Sequence, residues 1–440
     1  MTAESWKESP FVLRHVPGVN PILRPGSADE WDGGVIEAGN VLRDAGTYYL
    51  YYHGKPQQGR QVTPGPYQIG VATAPSPLGP WTKYSGNPIV TIGGQDCWDY
   101  RDVACPCVVR DGRRYLMWYY ADRDRGGNVG LCMAESPLGP WHKYEGNPVF
   151  RNGGYTGSVV RVGGDYRLYS EYPIDVPSGK SPDQGPIAVA LAQQPEGPWE
   201  RDGDGVVLEA GGPGSWDEGG YSECGVLHHE GVYHMFYGGT EVPKLESIGY
   251  AWSDNGYRFQ RYWGNPVVDR RSLPGTSALA EVHALWEAPC FYLYHTIRYE
   301  GISGWDLEEI GVQVLVTRSP ALLRAQALEV AHLGADEIRG PEHSGVVPLY
   351  AVKEMAVGAR GKVFGKAGGS VAVDLYCCDN VRDIGRPHAQ VVELGASDGA
   401  GTVSASAWLE APVPFGRFGL RSNGGAEARD VVVWVTMYVR

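Results

Sequence analysis

The chain has 440 residues, and its 62 glycines, 32 prolines, 27 tyrosines and 14 tryptophans favour turns, strands and carbohydrate-binding surfaces. A formal net charge of −13 argues against nucleic acid and anionic membranes as partners, because both are bound through basic surfaces. No apolar run approaches the roughly 18 residues of a membrane-spanning helix. The N-terminal MTAESWKESPFVL lacks a signal-peptide core, which predicts a cytoplasmic location.

A phrase repeats along the chain. Residues 76–90 read SPLGPWTKYSGNPIV and residues 136–150 read SPLGPWHKYEGNPVF, and weaker copies occupy 195–208 and 254–268. A unit that returns every 50 to 60 residues indicates one supersecondary element copied several times.

Each copy predicts four short strands separated by Gly, Pro and Asp turns. In the first copy the strands cover 35–42, 48–52, 68–73 and 81–84, and a fifth copy ends in EIGVQVLVTRS. Four antiparallel strands repeated five times predict an all-β fold, a five-bladed β-propeller. An open solenoid is the rival arrangement, but a closed ring leaves no end blade uncovered. The residues near Pro10–Val16 are expected to add a closing strand beside blade five.

The chain divides into two predicted domains. The propeller is expected over 1–325, followed by a helix-prone stretch at 320–332 and a C-terminal β-sandwich over 340–440. The eight cysteines show no paired CxxC spacing, so we expect reduced, mostly buried thiols rather than a zinc site.

Candidate site residues lie just ahead of each blade's first strand, which lines the central channel of a propeller and starts at the ligand-binding mouth. Blade three offers no acid there. The candidates from blades one to five in turn are Trp31, Asp32 and Glu37; Trp98, Asp99, Arg101 and Asp102; Tyr155; Trp216, Asp217 and Glu223; and Glu281 and His283.

Four of these candidates are carboxylates at similar positions. Glu37, Asp102, Glu223 and Glu281 each precede the middle of their blade's second strand by 12 to 14 residues, so we expect them to converge near the axis. Crowded acids shift one another's pKa values, and two carboxylates flanking a glycosidic bond are the usual machinery of glycoside hydrolysis. Alternatively, the acids cap turns or pair with arginine, and the adjacent Arg101 would then neutralise Asp102.

The Trp-Asp pairs at 31, 98 and 216 also have two interpretations. The tryptophans either pack between blades or stack on sugars, and the aspartates either form turns or bind sugar hydroxyls.

The unit ATAPSPLGPWTKYSGNPI, with GTYYLYYHG before it, resembles the blades of the five-bladed β-propeller glycosidase superfamily, which includes glycoside hydrolase families 43, 32, 68, 117 and 130. The resemblance covers the propeller and implies cleavage or transfer of furanosides. Tyr100-Arg101-Asp102 resembles the Arg-Asp-Pro motif of family 32, which implies a transition-state stabiliser at Asp102. Glu223-Cys224 resembles that family's Glu-Cys motif, which implies that Glu223 is the acid/base. Glu37 or Asp32 falls where the superfamily has its blade-one nucleophile or base.

The chain departs from this pattern in three places, and the first is that no Asp-Pro-Asn or Asp-Pro motif occupies blade one. Families 32 and 43 have their acid on blade three, where this chain has Tyr155, Thr156 and Ser158, and Asp102 is followed by Val103 rather than proline. The resemblance therefore implies an atypical member. His283 has three interpretations: a ligand of calcium as in family 43, a proton donor as in family 117, or a hydrogen-bonding residue in the channel.

The sequence thus predicts a glycoside hydrolase acting on an arabinofuranoside or fructofuranoside, with a carbohydrate partner. The chemistry requires no cofactor, and a structural calcium ion in the channel at His283 is an expectation. The alternatives are a transglycosylase or fructotransferase, a phosphorylase whose phosphate site would use Arg101, Arg123 and Arg125, and a non-catalytic sugar-binding propeller. The sugar and the oligomeric state are left open.

Overall fold

The protein is built from β-strands. The computed structural model describes residues 11–14, 20–58, 61–62, 66–122, 127–171, 185–241, 245–287, 290–300, 307–317, 321–345, 347–348, 352–378, 386–396, 402–410 and 415–439. Over these ranges the only helical segments are short 3-10 turns, including Arg270–Ser272 and Pro341–His343. In this part of the chain no helix has the length and hydropathy needed to cross a membrane.

The first 22 strands form the first of two units. In chain order they are β1 (Phe11–Arg14), β2 (Val35–Asp44), β3 (Thr47–Lys55), β4 (Gln57–Gln58), β5 (Gln61–Val62), β6 (Gln68–Ala74), β7 (Thr82–Lys83), β8 (Asp102–Asp111), β9 (Arg114–Asp122), β10 (Asn128–Ala134), β11 (His142–Lys143), β12 (Tyr155–Val162), β13 (Asp165–Glu171), β14 (Ile187–Ala192), β15 (Val206–Leu208), β16 (Tyr221–His229), β17 (Val232–Glu241), β18 (Leu245–Ser253), β19 (Gln260–Arg261), β20 (Thr276–Glu287), β21 (Cys290–Tyr299) and β22 (Glu308–Thr317).

These strands form the predicted five-bladed β-propeller. Blade one contains β2, β3, β6 and β7; blade two β8 to β11; blade three β12 to β15; blade four β16 to β19; and blade five β20 to β22 with β1. The first strands β2, β8, β12, β16 and β20 contact one another in turn, and β20 contacts β2, so the ring is closed. The expected closing strand is confirmed, because β1 pairs antiparallel with β22, with Phe11 opposite Thr317.

The asparagine of the repeated phrase clamps the third strand of its blade. Asn87 accepts from the backbone N–H of Val71 over 2.9 Å and donates to its carbonyl over 2.9 Å. Asn147 makes the same two bonds to Leu131, and Asn265 makes them to Tyr250. The phrase recurs because every such turn must satisfy the same backbone groups.

The tryptophan of the phrase packs between blades. Trp141 of blade two meets Tyr51 of blade one edge to face, with ring centroids 6.1 Å apart, and Trp199 of blade three meets Trp118 of blade two at the same separation. Trp81 of blade one meets Tyr294 of blade five at 6.0 Å. This last contact joins the first and last copies, so the repeat itself supplies the contact that closes the ring.

The second unit is the predicted C-terminal β-sandwich. Its strands are β23 (Ala321–Leu333), β24 (Ile338–Arg339), β25 (Val347–Pro348), β26 (Val352–Phe364), β27 (Ser370–Cys378), β28 (Arg386–Gly395), β29 (Val403–Glu410), β30 (Phe415–Asn423) and β31 (Glu427–Val439). One sheet has the order β23-β31-β26-β29 and the other β24-β30-β27-β28, with β25 on β30. One buried apolar cluster joins Val357 and Phe418 of the sandwich to Leu50 of blade one and Tyr292 of blade five.

The predicted helix at 320–332 is wrong. These residues form β23, which pairs antiparallel with β31 from Ala321 opposite Val439 to Leu333 opposite Ala428. The stretch is rich in Ala, Leu, Glu and Gln, which favour helices, but pairing and burial of Leu328 and Val330 outweigh that weak preference. The predicted sandwich limits of 340–440 therefore leave out a strand of its first sheet.

Cys97, Cys105, Cys107, Cys132 and Cys224 are thiols outside any disulfide, and all of them except Cys97 are buried, in line with the prediction of mostly buried thiols. The cytoplasmic location stays a prediction.

Candidate functional site

Each first strand carries a bulge in its pairing with the second strand of the same blade. The register shifts lie between Ala38 and Val41, Ala104 and Cys107, Thr156 and Ser158, Tyr221 and Cys224, and Ala280 and His283. An extra residue in one strand bends it and re-aims the side chains around it. In two bulges a non-glycine residue has left-handed backbone, Cys105 with φ 50° and Glu281 with φ 47°. Such strained positions are typical of functional sites.

The bulges set the heights of the four predicted carboxylates. Glu37 directly precedes Ala38 at the blade-one bulge, whereas Asp102 lies two residues before Ala104 at the blade-two bulge. Side chains alternate along a strand, so Glu37 and Asp102 point to opposite sides of their strands. Glu223 and Glu281 lie inside their bulges. The equal spacing seen in the sequence therefore does not correspond to one shared position.

Glu37 is buried and held by two donors. Its Oε2 lies 2.8 Å from Nε2 of His53, and its Oε1 accepts from the hydroxyl of Tyr67 over 2.6 Å. Burial by itself would raise the pKa of Glu37, but the attraction and hydrogen bond of His53 and the charge of Arg298 hold that pKa far below its usual range. Glu37 is therefore an ionised carboxylate.

Arg298, near the end of β21, binds three carboxylates with its guanidinium. Nη1 lies 3.0 Å from Glu246, Nη2 lies 2.8 Å from Glu281, and Nε lies 2.6 Å from Glu308. These glutamates come from β18, β20 and β22, so one side chain ties blade four to blade five. Arg298 stays charged, because the surrounding carboxylates raise its pKa further although burial opposes this.

Two glutamates bound to Arg298 have raised pKa values. Burial raises the pKa of Glu308 to about 8; the charge of Glu37 and the hydrogen bond that protonated Glu308 donates to Glu37 act in the same direction, against the attraction of Arg298. Burial also raises the pKa of Glu281 well above its usual range, and the neighbouring carboxylates add to this effect against Arg298. The site thus contains one carboxyl group whose pKa is lowered beside two whose pKa values are raised.

Among the described residues, no arginine forms an ion pair with Glu223, and its neighbours include His283 and Cys105. Oε2 of Glu223 is 3.7 Å from Nε2 of His283 and, among the described residues, has no hydrogen-bond partner. The Cys105 thiol hydrogen-bonds Glu223, and burial together with the charges of Glu223, Glu37 and Glu281 raises the pKa of that thiol. Cys105 therefore lies among the carboxylates of blades one, four and five.

Asp102 lies beside this cluster and contacts it through Tyr67. Its Oδ1 accepts from the backbone N–H of Tyr67 over 2.9 Å, and the Tyr67 hydroxyl reaches Glu37. Tyr155, the blade-three candidate, stacks on Tyr120 with ring centroids 4.5 Å apart. Arg101 is exposed.

The Trp-Asp pairs make contacts within their own blades. Trp31 stacks on Tyr52 at 5.6 Å, and Asp32 accepts from the Tyr52 hydroxyl and from Lys83 of the repeated phrase over 2.8 and 2.6 Å. The same arrangement joins Trp98 to Tyr119 with Asp99 on Lys143, and Trp216 to Tyr237 with Asp217 on Arg261. These contacts give the pairs a structural role, and their predicted sugar binding stays a prediction.

Several residues of the site could not be found by scanning first strands. Arg298, Glu246, Glu308 and Tyr67 lie on or beside second and third strands. Glu171, at the end of β13, is buried opposite Tyr155. Burial raises the pKa of the Cys224 thiol, and the charges of Glu223 and Glu171 add to that effect. Blade three therefore does carry an acid, and a scan of second-strand ends would have found it.

The calcium ion expected at His283 stays a prediction. In the described part of the chain no group of three or more His, Cys, Asp or Glu side chains is arranged to hold a metal ion. Glu223 is the carboxylate nearest His283, whereas calcium takes six to eight oxygen ligands, so these residues alone do not fit the ion. Arg123 and Arg125, the other residues considered for phosphate, lie outside the described residues.

Comparison with known proteins gives distant similarity in sequence and clear similarity in fold. No family model matches the chain. Two Mycobacterium tuberculosis sequences, each described as an uncharacterized protein, are 26% identical over 232 residues, which is 50% of this chain and 72% of theirs.

Solved glycosidases share the architecture. A thermostable family-43 glycoside hydrolase matches 66% of this chain and 95% of its own at 19% identity, with a TM-score of 0.50. A structure from work on family-130 mannoside phosphorylases, and on the glycoside hydrolases among them that target β-1,2-mannosidic linkages, matches 71% of this chain and 96% of its own at 15% identity, with a TM-score of 0.54. At these identities the likeness establishes the fold, which is that of the five-bladed β-propeller glycosidases.

Proposed function

We propose that this protein is a glycoside hydrolase that cleaves a furanoside-type bond, in an arabinofuranoside or a fructofuranoside, by carboxylate acid/base catalysis. The observation that carries the proposal is one buried site in which carboxyl pKa values are shifted in opposite directions, lowered at Glu37 and raised at Glu281 and Glu308. Environments that push carboxyl pKa values apart are what distinguish an acid from a base or nucleophile. The glycoside hydrolases that share the fold support this reaction class.

Glu37 is the base or nucleophile of the proposed reaction. It is ionised, and its two donors fix the direction of its carboxylate. Asp32, the other blade-one candidate, already binds Lys83 and Tyr52, which supports Glu37. Asp102 is a positioning residue in this scheme, because it holds the backbone of Tyr67, which donates to Glu37.

Glu223 is the general acid of the proposed reaction. Its proton passes to the glycosidic oxygen as the bond from that oxygen to the anomeric carbon breaks, and ionised Glu37 stabilises the oxocarbenium-like transition state. Water then supplies the hydroxyl group at the anomeric carbon, and its proton returns to a carboxylate. We assign the acid to Glu223 rather than Glu281 because Oε1 of Glu281 is bound to Arg298.

The test compares Glu223→Gln with Glu281→Gln on aryl arabinofuranosides, aryl xylosides and fructans. We expect Glu223→Gln to lose about 10²–10⁴-fold in kcat/KM on substrates with poor leaving groups and far less on a 2,4-dinitrophenyl glycoside, which needs no protonation. Near-normal turnover of phenyl glycosides by folded Glu223→Gln, with the loss found in Glu281→Gln instead, would overturn the assignment. Reactions with and without inorganic phosphate separate hydrolysis from phosphorolysis.

A non-catalytic sugar-binding propeller is the second candidate, and the pairing of three carboxylates with Arg298 favours it. In that case sugars bind without turnover of any glycoside. The contacts of Glu37 and Glu223 favour the enzyme, because neither makes an ion pair with an arginine that the structure records.

A further inference from the structure

We propose that Tyr155, stacked on the buried Tyr120 and flanked by Tyr67, forms an aromatic platform for one face of a neutral sugar ring. This platform deepens the proposed function and rests on it for the identity of the site. Nothing in the sequence distinguished Tyr67 and Tyr120 from the 27 tyrosines of the chain.

The three rings belong to one small apolar cluster at the carboxylate site. Tyr120 is packed with Ala104 and Cys105, and Tyr67 and Tyr155 lie partly exposed against them. The rings of Tyr120 and Tyr155 are nearly parallel, at an interplanar angle of 19°. Since Cys105 also contacts Glu223, the cluster borders the proposed acid.

The platform lies across the channel from Arg298. Tyr120 and Tyr155 belong to blades two and three, and in a ring of five blades these lie opposite blade five, which carries Arg298. Tyr67 links the two sides, because its hydroxyl donates to Glu37. The stacked tyrosines and the carboxyl groups bound to Arg298 therefore lie on different sides of the channel.

The strand register shows which residue of blade one corresponds to Tyr155 of blade three. Glu37 lies opposite His53 directly before the bulge of blade one, and Tyr155 lies opposite Glu171 directly before the bulge of blade three. Tyr155 thus occupies the position that holds the proposed base in blade one. Blade three therefore presents an aromatic ring at the register position where blade one presents the carboxylate of Glu37.

This division of the channel suits a neutral sugar. The C–H face of a sugar ring packs on an aromatic face, while its hydroxyl groups reach the polar side, as in most small-molecule sites. An anionic sugar would meet ionised Glu37, and Arg298 is already bound to three carboxylates. Like charges at short range in a buried site are costly, so the site discriminates against uronates.

The experiment measures binding rather than turnover, by saturation-transfer NMR and titration with L-arabinose, D-fructose, D-xylose, D-mannose and D-galacturonate. We expect a neutral sugar to receive saturation mainly at the protons of one ring face. Tyr155→Leu should weaken its affinity about tenfold, which corresponds to about 1.4 kcal/mol. Tyr155→Phe, which keeps the ring, should restore most of the affinity. Tyr144→Leu is the matched control, since Tyr144 is a partly exposed tyrosine of the repeated phrase.

Two results would overturn the platform: unchanged affinity in Tyr155→Leu that is folded by circular dichroism, or binding of galacturonate as tight as that of the neutral sugars. Failure of the enzyme proposal is recognised separately. If wild-type protein turns over no glycoside but binds a neutral sugar through Tyr155, the platform stands and the hydrolase does not. If it turns over glycosides and Tyr155→Leu leaves both affinity and KM unchanged, only the platform fails.

Discussion

Nε2 of His53 lies 2.8 Å from Oε2 of Glu37, and the two residues are register partners on the first and second strands of blade one. The backbone N–H of Cys105, from the bulge of blade two, donates to Nδ1 of the same imidazole over 3.3 Å. Because Nδ1 accepts, the ring proton lies on Nε2 and points at Glu37. A backbone group of one blade thus fixes the tautomer that orients the carboxylate of another.

Replacement of His53 should weaken catalysis through Glu37. In His53→Leu the carboxylate loses the attraction and hydrogen bond that lower its pKa, so that pKa rises and the acidic limb of the kcat/KM profile moves to higher pH. We expect kcat/KM at pH 6 to fall about 10-fold or more. His53→Gln, which keeps a donor, should shift the limb less. A profile unchanged in His53→Leu would contradict the role of His53.

Removal of Arg298 should destabilise the propeller strongly. Arg298→Met leaves three buried glutamates without the cation they share, and removing one partner of a buried, hydrogen-bonded ionic network costs about 3–5 kcal/mol. Urea unfolding measures the loss. Arg298→Lys should recover only part of it, because an ammonium group lacks the guanidinium fork that reaches three partners. The control is Lys362→Met in the exposed pair with Asp430, where we expect a loss below about 1 kcal/mol.

Stability should fall as pH rises from about 5 to 8.5. The folded protein keeps a proton on Glu308 up to a pKa of about 8, whereas the unfolded chain releases it near 4.5. The contribution of Glu308 to the free energy of unfolding is fully present below pH 4.5 and is lost as pH rises through 8, because the folded state binds more protons than the unfolded chain across that window. Melting temperatures across the range measure the slope, and Glu308→Gln should flatten it. A slope equally steep in that variant would exclude Glu308 as its source.

The Trp-Asp pairs should contribute to stability more than to sugar binding. Asp99→Asn removes the charge that holds Lys143, a largely buried pair, so we expect the melting temperature to fall. KM on an aryl glycoside should stay within about twofold, because these contacts lie within the blade. The opposite result, a raised KM at unchanged melting temperature, would restore the sugar-binding prediction for Asp99.

Much of the fold was predictable because local rules repeat five times. Asn87, Trp81 and Lys83 of one phrase each make a contact that recurs in other blades, so periodicity in sequence became periodicity in space. The strand at Ala321–Leu333 was not predictable in this way. Its composition favours a helix, and only pairing with β31, nearly a hundred residues later, makes it a strand.

The site was predictable only along the first strands. Glu37, Glu223 and His283 could be located because they precede a recognisable second strand. Arg298 and Glu308 could not, since nothing near them in sequence marks a channel residue. They are register partners on the second and third strands of blade five, whereas the contact of Arg298 with Glu246 depends on how blades four and five pack. Asp102 shows the limit of spacing, because a shift of one residue relative to the bulge sends its side chain to the other side of the strand.

The sequence by itself determined the number of blades, their order and the presence of acids at the mouth, because turn chemistry and strand periodicity act between near neighbours. Only the tertiary structure decided in which direction each acid's pKa is shifted. The shift depends on burial and on charges brought from distant strands: Arg298 lowers the pKa of all three glutamates, and the contact with His53 is what separates Glu37 from Glu281 and Glu308. The ring supplied five equivalent positions, and packing across it made them chemically unequal.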